Sequence, residues 1–482
     1  MKKFKWTTAL YWICVLVFFG ITTAGYMLAG EEWYDAGFYS ALAFAMNYVD
    51  VEERNILLYF GRVLCPVMTV AGLLTLLQGL YKSVADSLAS VRRDATALYY
   101  DDDDIKEVAG KFRHPVLMGK KVNKKVKYHV LMLKNDVDNL TFYEQMEKSL
   151  KKGSKVYIKM EKMESRLLKN SKVYYFNKNE IIARNYWRER NLQKYLADGR
   201  LNMKIAILGF GALGQNLLDY GLMKNIYSLT QSIQYHVWGS SRLYRNLLGD
   251  FDKMNGDTIT YHDTDWREEI EQLKEFDRII VAQEPNIELL QALLYLSCDA
   301  EIDFYNPMSA ELAVAYAENK LTPFGMLDEV LTEENIKTDK LYQAAKRVNF
   351  TYAMVYDSTG TYSLEMPDAE KFIEKEWEAL DSFDKGSNVA AADYHQIREI
   401  VAEALGINRA KISAKQMEVL KEMEHVRWCR YHYVNHWHYY AGEKKDKARR
   451  LHPLLVPYAD LPKKEDDKDE LVIRALLGEK NK

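Results

Sequence analysis

Six consecutive residues, Gly209-Phe210-Gly211-Ala212-Leu213-Gly214, are spaced to hold a phosphate. They follow the apolar run Met203–Leu208 and precede a helix-forming stretch from Gln215 to Tyr220, so the order is strand, glycine turn, helix. In that setting Gly209 permits the tight turn, Gly211 lets backbone N–H groups approach an anion, and Gly214 lets the helix pack on the strand. A dinucleotide with a free ribose 2′-hydroxyl calls for Asp or Glu at the end of the next strand. Here Ile233–Trp238 runs into Gly239-Ser240-Ser241-Arg242, whose hydroxyls and guanidinium suit a 2′-phosphate. The group expected at Gly209, Gly211, Gly214, Ser240, Ser241 and Arg242 is therefore a nucleotide or NAD(P), tilted toward NADP.

A second constellation lies in the last third of the chain. Arg427 offers a planar donor fork, Trp377, Trp428 and Tyr431 offer stacking faces, and Asn388, His425 and His452 offer directional hydrogen bonds, a mixture suited to a base plus a phosphate. A zinc site at His425, Cys429, His432 and His436 is the rival, but ligands spread over three turns of one helix do not converge on one ion, and no metal is expected. Between the two constellations, Gln283-Glu284-Pro285-Asn286 and Asn306-Pro307 pair no His or Lys with a carboxylate, and Glu284 and Asn286 read as turn and cap residues. The chain is accordingly read as binding without catalysis, with an oxidoreductase as the alternative.

The elements that position these residues follow from composition and pattern. With 482 residues, 48% of them hydrophobic, and 9 prolines, the chain folds into several domains with sizeable cores. A net charge of −3 gives no general case for nucleic-acid binding. Four scattered cysteines form no disulfide framework.

From Trp6 to Gly30 no charged residue appears, and a second charge-free run spans Val63 to Tyr81. Each is long enough to cross a bilayer, and two such runs argue against a cleaved leader. Lys2, Lys3 and Lys5 before the first, and Lys82, Arg92 and Arg93 after the second, place both termini in the cytoplasm and the protein in the inner (plasma) membrane. Between the runs, Gly37–Tyr48 is apolar but too short to span, and reads as a re-entrant or interfacial helix. Helix, loop and helix resemble two-helix potassium-channel subunits in layout. Where those place a glycine-bearing filter, this chain has Met46–Glu53, with Asn47, Tyr48, Asp50 and Glu52 as candidate pore-loop residues and no glycine. Arg62 is expected near the outer interface or paired with a loop carboxylate. A plain anchor is the other reading; a pore demands a homo-oligomer, with a tetramer favoured.

The expected division is 1–93 as membrane hairpin, 94–199 as a degenerate Rossmann-like domain, 200–335 as a Rossmann domain and 336–482 as a helical domain. Strand-like runs at Ala95–Tyr100, Lys127–Leu133, Lys155–Lys159 and Val173–Phe176 alternate with helices at Asn139–Leu150 and Glu180–Leu196, which implies a parallel α/β sheet. Between Lys111 and Lys178 there are 18 Lys or Arg against 6 Asp or Glu, a basic balance that suits anionic lipid headgroups or merely solvated helix faces. After Met203–Leu208 and Ile233–Trp238, strands at Thr258–His262, Arg278–Val281, Ile302–Tyr305 and Thr322–Gly325 complete a doubly wound sheet. This section resembles the TrkA-N or RCK domains that gate potassium channels and transporters. Past Thr338, the acidic residue and His before Trp428, then Trp437-His438-Tyr439, then His452-Pro453-Leu454-Leu455-Val456, resemble the RyR (ryanodine receptor repeat) domain. That resemblance implies a small helical ligand-recognition module, suspected in bacteria of sensing nucleotide-derived signals in defence and signalling. The combined expectation is a ligand-gated membrane effector that senses a nucleotide-type signal. Its alternatives are a membrane-tethered NADP-dependent oxidoreductase and a non-conducting nucleotide sensor that docks partners.

Overall fold

The computed structural model describes residues 2–50, 55–92, 94–101, 108–161, 173–196, 201–248, 251, 256–283, 287–296, 298–307, 321–337, 339–356, 362–408, 411–462, 469–470 and 472–474. Glu52, Arg93, Glu284, Asn286 and most of the last expected helix lie outside these residues. The chain forms two compact units, Met1–Arg92 and Arg93–Lys482.

In the first unit, α1 (Lys2–Leu28) and α3 (Ile56–Val91) are each long and apolar enough to cross a membrane. They touch through small residues: a Cβ on Gly61 would lie 2.5 Å from Thr22 Cγ2, and one on Gly25 would lie 2.7 Å from Leu58 Cδ2. The apolar run expected from Val63 begins earlier, at Ile56, with Pro66 inside the helix. The segment between them, α2 (Trp33–Met46), starts before the expected Gly37 and ends at Asn47, which takes a left-handed conformation with φ of 54°. That turn brings Tyr48 to Arg62, whose Nη2 donates to the Tyr48 hydroxyl at 3.2 Å with the guanidinium 5.0 Å from the ring centre. Among the described residues this phenol is the partner Arg62 shows, while the loop carboxylates Glu52 and Glu53 lie outside them. Thr69 Oγ1 donates to Asn47 Oδ1 at 2.9 Å, and Asp50 is exposed.

The second unit contains two wholly parallel sheets. β1 (Thr96–Tyr100), β2 (Pro115–Gly119), β3 (Tyr128–Met132), β4 (Lys155–Lys159) and β5 (Val173–Phe176) pair in the order β2-β1-β3-β4-β5. Flanking them are α4 (Asp136–Glu147), capped by Asn135, and α5 (Lys178–Glu189), capped by Asn177. β6 (Asn202–Leu208), β7 (Ser232–Trp238), β8 (Thr258–His262), β9 (Arg278–Val281), β10 (Glu301–Tyr305) and β11 (Leu321–Phe324) pair in the order β11-β10-β9-β6-β7-β8. Counted from its own first strand, the second sheet runs 3-2-1-4-5-6, the Rossmann order, while the first runs 2-1-3-4-5, the other common doubly wound order. The two are not copies of one pattern. β6 is buried on both faces, which is why its sequence is almost continuously apolar.

α6 (Ala212–Lys224) follows β6; α7 (Arg242–Leu247) and α8 (Ile287–Tyr295) follow β7 and β9. α5 packs on α6: Trp187, fully buried, donates its indole N–H to Leu217 O at 2.8 Å. The chain then becomes helical through α9 (Glu333–Lys337), α10 (Asp339–Tyr356), α11 (Ala369–Ala379), α12 (Ser382–Asp393), α13 (His395–Ala404) and α14 (Ala414–Val434). Ser413 and Gln416 close a reciprocal capping box at the start of α14. This helical segment is fastened to the second sheet by buried polar groups. Arg430 of α14 reaches Asp257 Oδ2 at 2.7 Å and Leu222 O at 2.9 Å, and Lys224 reaches Asp393 at 3.1 Å. The Tyr394 hydroxyl donates to Ile226 O at 2.6 Å.

Candidate functional site

The glycine turn between β6 and α6 is built as its spacing requires. Gly209 has φ of 97°, in the left-handed region, and its N–H donates to Trp238 O at 3.1 Å. A Cβ on Gly214 would lie 2.1 Å from Gly209 O, so any side chain there would push α6 off the strand. Gly211 caps α6, and a Cβ on it would meet nothing within 4 Å. Among the described residues, the space beside Gly211 at the start of α6 is therefore open, and a helix N-terminus favours an anion.

The turn after β7 lies against the first. Gly239, with φ of 134°, would carry a Cβ 2.8 Å from Phe210 N, so only glycine lets the two turns touch. Ser240 and Arg242 are exposed beside it. Ser241 is buried, and its Oγ has no hydrogen-bond partner among the described residues. A hydroxyl and an exposed guanidinium, neither with a hydrogen-bond partner among the described residues, are what a phosphate would satisfy. Phe210 itself is buried, edge-on to Tyr244 at 5.1 Å, and Tyr244 donates to Asp219 Oδ1 at 2.6 Å. Burial and the adjacent Asp219 carboxylate raise the Tyr244 hydroxyl well above its ordinary range, so it stays a neutral donor. Gln283, after β9, borders Gly209 on the other side. The residues present thus fit a dinucleotide: backbone of Gly209–Gly214 for the diphosphate, and Ser240, Ser241 and Arg242 for a 2′-phosphate.

The second constellation is divided by the fold. Asn388, His425, Arg427, Trp428 and His452 line one cavity of about 380 Å³, whereas Trp377 and Tyr431 line a separate one of about 180 Å³. Nor is Arg427 an open fork. It is 2% exposed, and its Nε and Nη2 donate to Glu424 Oε1 at 3.0 and 2.8 Å. Arg398 holds the other carboxylate oxygen at 2.7 Å. Glu424 is thus clamped between two buried guanidinium groups, each with an Nη1 that has no hydrogen-bond partner among the described residues. Arg427 would grip a ligand with one nitrogen, and its loss would unbalance a buried cluster. The Glu424–Arg427 spacing of three along a helix is legible in the chain, but Arg398, from α13, is joined to them only by folding.

His425 and His432 of α14, and His436 just past its end, each meet a different backbone carbonyl. His425 Nε2 meets Val456 O at 2.8 Å, His432 Nδ1 meets Trp428 O at 2.9 Å, and His436 Nδ1 meets Leu247 O at 3.1 Å. Cys429 Sγ is 3.5 Å from His425 Nε2. Among the described residues no group of His, Cys, Asp or Glu is arranged to hold a metal ion.

No family model matches the chain, and no curated protein matches it. Solved structures similar to it include a dipicolinate synthase subunit from Bacillus halodurans, at 13% identity and a TM-score of 0.24, covering 52% of this chain and 98% of that one. Another is a D-isomer specific 2-hydroxyacid dehydrogenase from Lactobacillus delbrueckii ssp. bulgaricus, in an NAD-complexed form, at 10% identity and a TM-score of 0.20, covering 65% and 98%. A third is L-tryptophan dehydrogenase from Nostoc punctiforme, at 11% identity and a TM-score of 0.26, covering 66% and 91%. The expectation of a chain without enzymatic character is corrected by these structures, which are two dehydrogenases and one synthase component. At such identities and TM-scores the likeness carries no argument about substrate or reaction, and the Rossmann-type fold rests on the strand order of the second sheet.

Proposed function

We propose that the chain is a membrane-tethered NADP(H)-binding protein whose helical domain takes a second, nucleotide-type ligand. The observation that carries the first half is the pair of touching turns, Gly209–Gly214 and Gly239–Arg242, with open space before Gly211 and an orphaned Ser241 hydroxyl. When bound, the dinucleotide supplies a hydride donor or acceptor. The chain's own part is to seat its diphosphate on the start of α6 and to choose between phosphorylated and free ribose through Ser240, Ser241 and Arg242. The reading this geometry favours is a membrane-tethered NADP-dependent oxidoreductase, because the cradle supplies the seat its dinucleotide needs.

A second reading has its own observation. Asn47 and Tyr48, held to Thr69 and Arg62 of α3, fix the start of the loop after α2 against a helix apolar enough to span. This supports a ligand-gated effector in which TrkA-N-like (RCK-like) and RyR-like domains of a homo-oligomer, favoured as a tetramer in the plasma membrane with cytoplasmic termini, act on a pore. Purified full-length chain in lipid discs and liposomes tests both. NADPH should bind more tightly than NADH, with turnover followed by loss of nicotinamide absorbance. Equal, undetectable binding of both dinucleotides sinks the proposal, and ion flux without turnover promotes the second reading.

A further inference from the structure

We infer that the helical domain's ligand site is the cavity of about 180 Å³ where β5, α5, α6, α10, α11 and α12 meet, and that its ligand is a purine mononucleotide. This deepens the proposed nucleotide-type ligand by naming its place and chemistry.

The volume suits one base, with the ribose and phosphate of a mononucleotide reaching toward its open side, and excludes a dinucleotide. Its walls are aromatic and continuous. Tyr174 meets Tyr342 edge-on at 5.7 Å, and Tyr342 meets Trp377 edge-on at 6.1 Å. Rings of this kind accept a planar base of any sequence identity by stacking.

Two cations line the cavity, Arg184 of α5 and Lys385 of α12. Among the described residues, neither side chain makes a hydrogen bond or a close ion pair; Lys385 has the Trp377 ring 5.9 Å from its ammonium and feels the carboxylates of Glu378, Glu374 and Asp381 at longer range. Burial pushes the Lys385 ammonium below its ordinary range in spite of those carboxylates, so a directly bonded anion would stabilise it. A phosphate would supply that charge, and Arg184 offers the planar fork that phosphate oxygens prefer. Glu180 and Glu378 also border the cavity. Their carboxylates can accept from the exocyclic amino group of adenine or from the N1–H and amino group of guanine, which accounts for the lining carrying both signs.

The cavity also reaches the dinucleotide cradle's own helix. Tyr220 and Met223 of α6 line it, and the buried Lys224–Asp393 pair ties that end of α6 to α12. An occupant would press on the helix whose first turn forms the phosphate cradle, so each ligand should change the affinity of the other by the same factor.

The test is calorimetric titration of the full-length protein in detergent with AMP, GMP, adenosine and inorganic phosphate. AMP or GMP should bind, with adenosine and phosphate each at least tenfold weaker. Tyr342→Leu and Lys385→Met should each weaken the mononucleotide tenfold or more while NADPH affinity, measured alone, stays within about threefold of wild type. His452→Gln, in the other cavity, should leave mononucleotide binding unchanged. No binding of either mononucleotide, unchanged affinity in both Tyr342→Leu and Lys385→Met, or loss in His452→Gln overturns the inference. Loss of mononucleotide binding in Gly211→Glu also overturns it, by moving the ligand to the cradle. Absent NADPH binding with intact mononucleotide binding counts against the dinucleotide reading alone.

Discussion

The glycine cradle and the helical domain hold their polar groups in opposite ways. Around Gly209–Gly214 the binding groups are backbone N–H atoms at a helix start, brought forward by missing side chains and left facing open space. In the helical segment they are long side chains drawn under the surface: Arg398, Glu424 and Arg427 are spent largely on one another, and Arg430 on Asp257 of the second-sheet region. A backbone site is formed by a few neighbouring residues and tolerates change elsewhere. A side-chain site is only as sound as the packing of several helices, so binding and stability become one property there.

The largest effect should come from breaking the buried contact that joins the two regions. Asp257→Ala would leave the fully buried Arg430 guanidinium without its carboxylate and the Ile233 N–H without its acceptor, and would take one of two acceptors from the Gln231 amide. Removing one partner of such a pair typically costs about 3–5 kcal/mol. A large fall in the thermal midpoint is expected, partly recovered in the double variant Asp257→Ala/Arg430→Met. An unchanged midpoint would show that the helical domain does not lean on the second sheet.

Acid should separate buried histidines from the cradle. In the first sheet, burial lowers His129 from 6.5 to about 4, and in α14 burial holds His432 well below its ordinary range. In each case the unfolded chain takes up a proton before the folded one does. Stability is therefore intact above pH 6.5 and falls as pH drops below it, for His129 down to about pH 4, where its share reaches about 3 kcal/mol. Denaturant midpoints measured from pH 7.5 to 4.5 should fall, and the slope should flatten in His129→Gln, since the glutamine side chain does not titrate. A slope identical to wild type would remove His129 from the account.

The cradle can then be probed with two alanines of opposite meaning. Gly214→Ala drives a methyl into Gly209 O, which should lose about 1–3 kcal/mol by overpacking and abolish NADPH binding. Gly211→Ala meets nothing, so stability should change by about 1 kcal/mol or less, the difference between two caps, while NADPH affinity falls. If both alanines lower stability equally, the turn is packed rather than open.

The smallest effect belongs to Arg242, exposed at the start of α7. Arg242→Ala should leave the melting curve in place and reduce the preference for NADPH over NADH by roughly tenfold, one charge-assisted contact. An unaltered ratio in competition binding would shift discrimination to Ser240 and Ser241.

Much of the α/β architecture was legible because buried parallel strands are short apolar runs. β4, β5, β8 and β9 occupy the residues their patterns announce. β2 was missed: Pro115-Val116-Leu117-Met118-Gly119 begins and ends on turn formers and has no helix-scale pattern beside it. The helix expected to run from Glu180 to Leu196 stops at Glu189 instead. There Arg190 turns away to pair with Asp303 at 3.0 Å and Pro323 O at 3.0 Å, partners more than a hundred residues distant.

The sequence by itself determined what depends on neighbours along the chain: two apolar helices, a strand running into a glycine turn, and a phosphate-compatible end to the following strand. Each rests on backbone geometry or hydropathy over a few residues. Only the tertiary structure decided which side chains share a cavity. It set Trp377 and Tyr431 apart from Arg427, turned the Arg427 fork inward onto Glu424, and left Arg184 and Lys385 facing a common aromatic space. Those outcomes depend on how helices from distant parts of the chain dock, and a buried charge accepts whichever partner that docking presents.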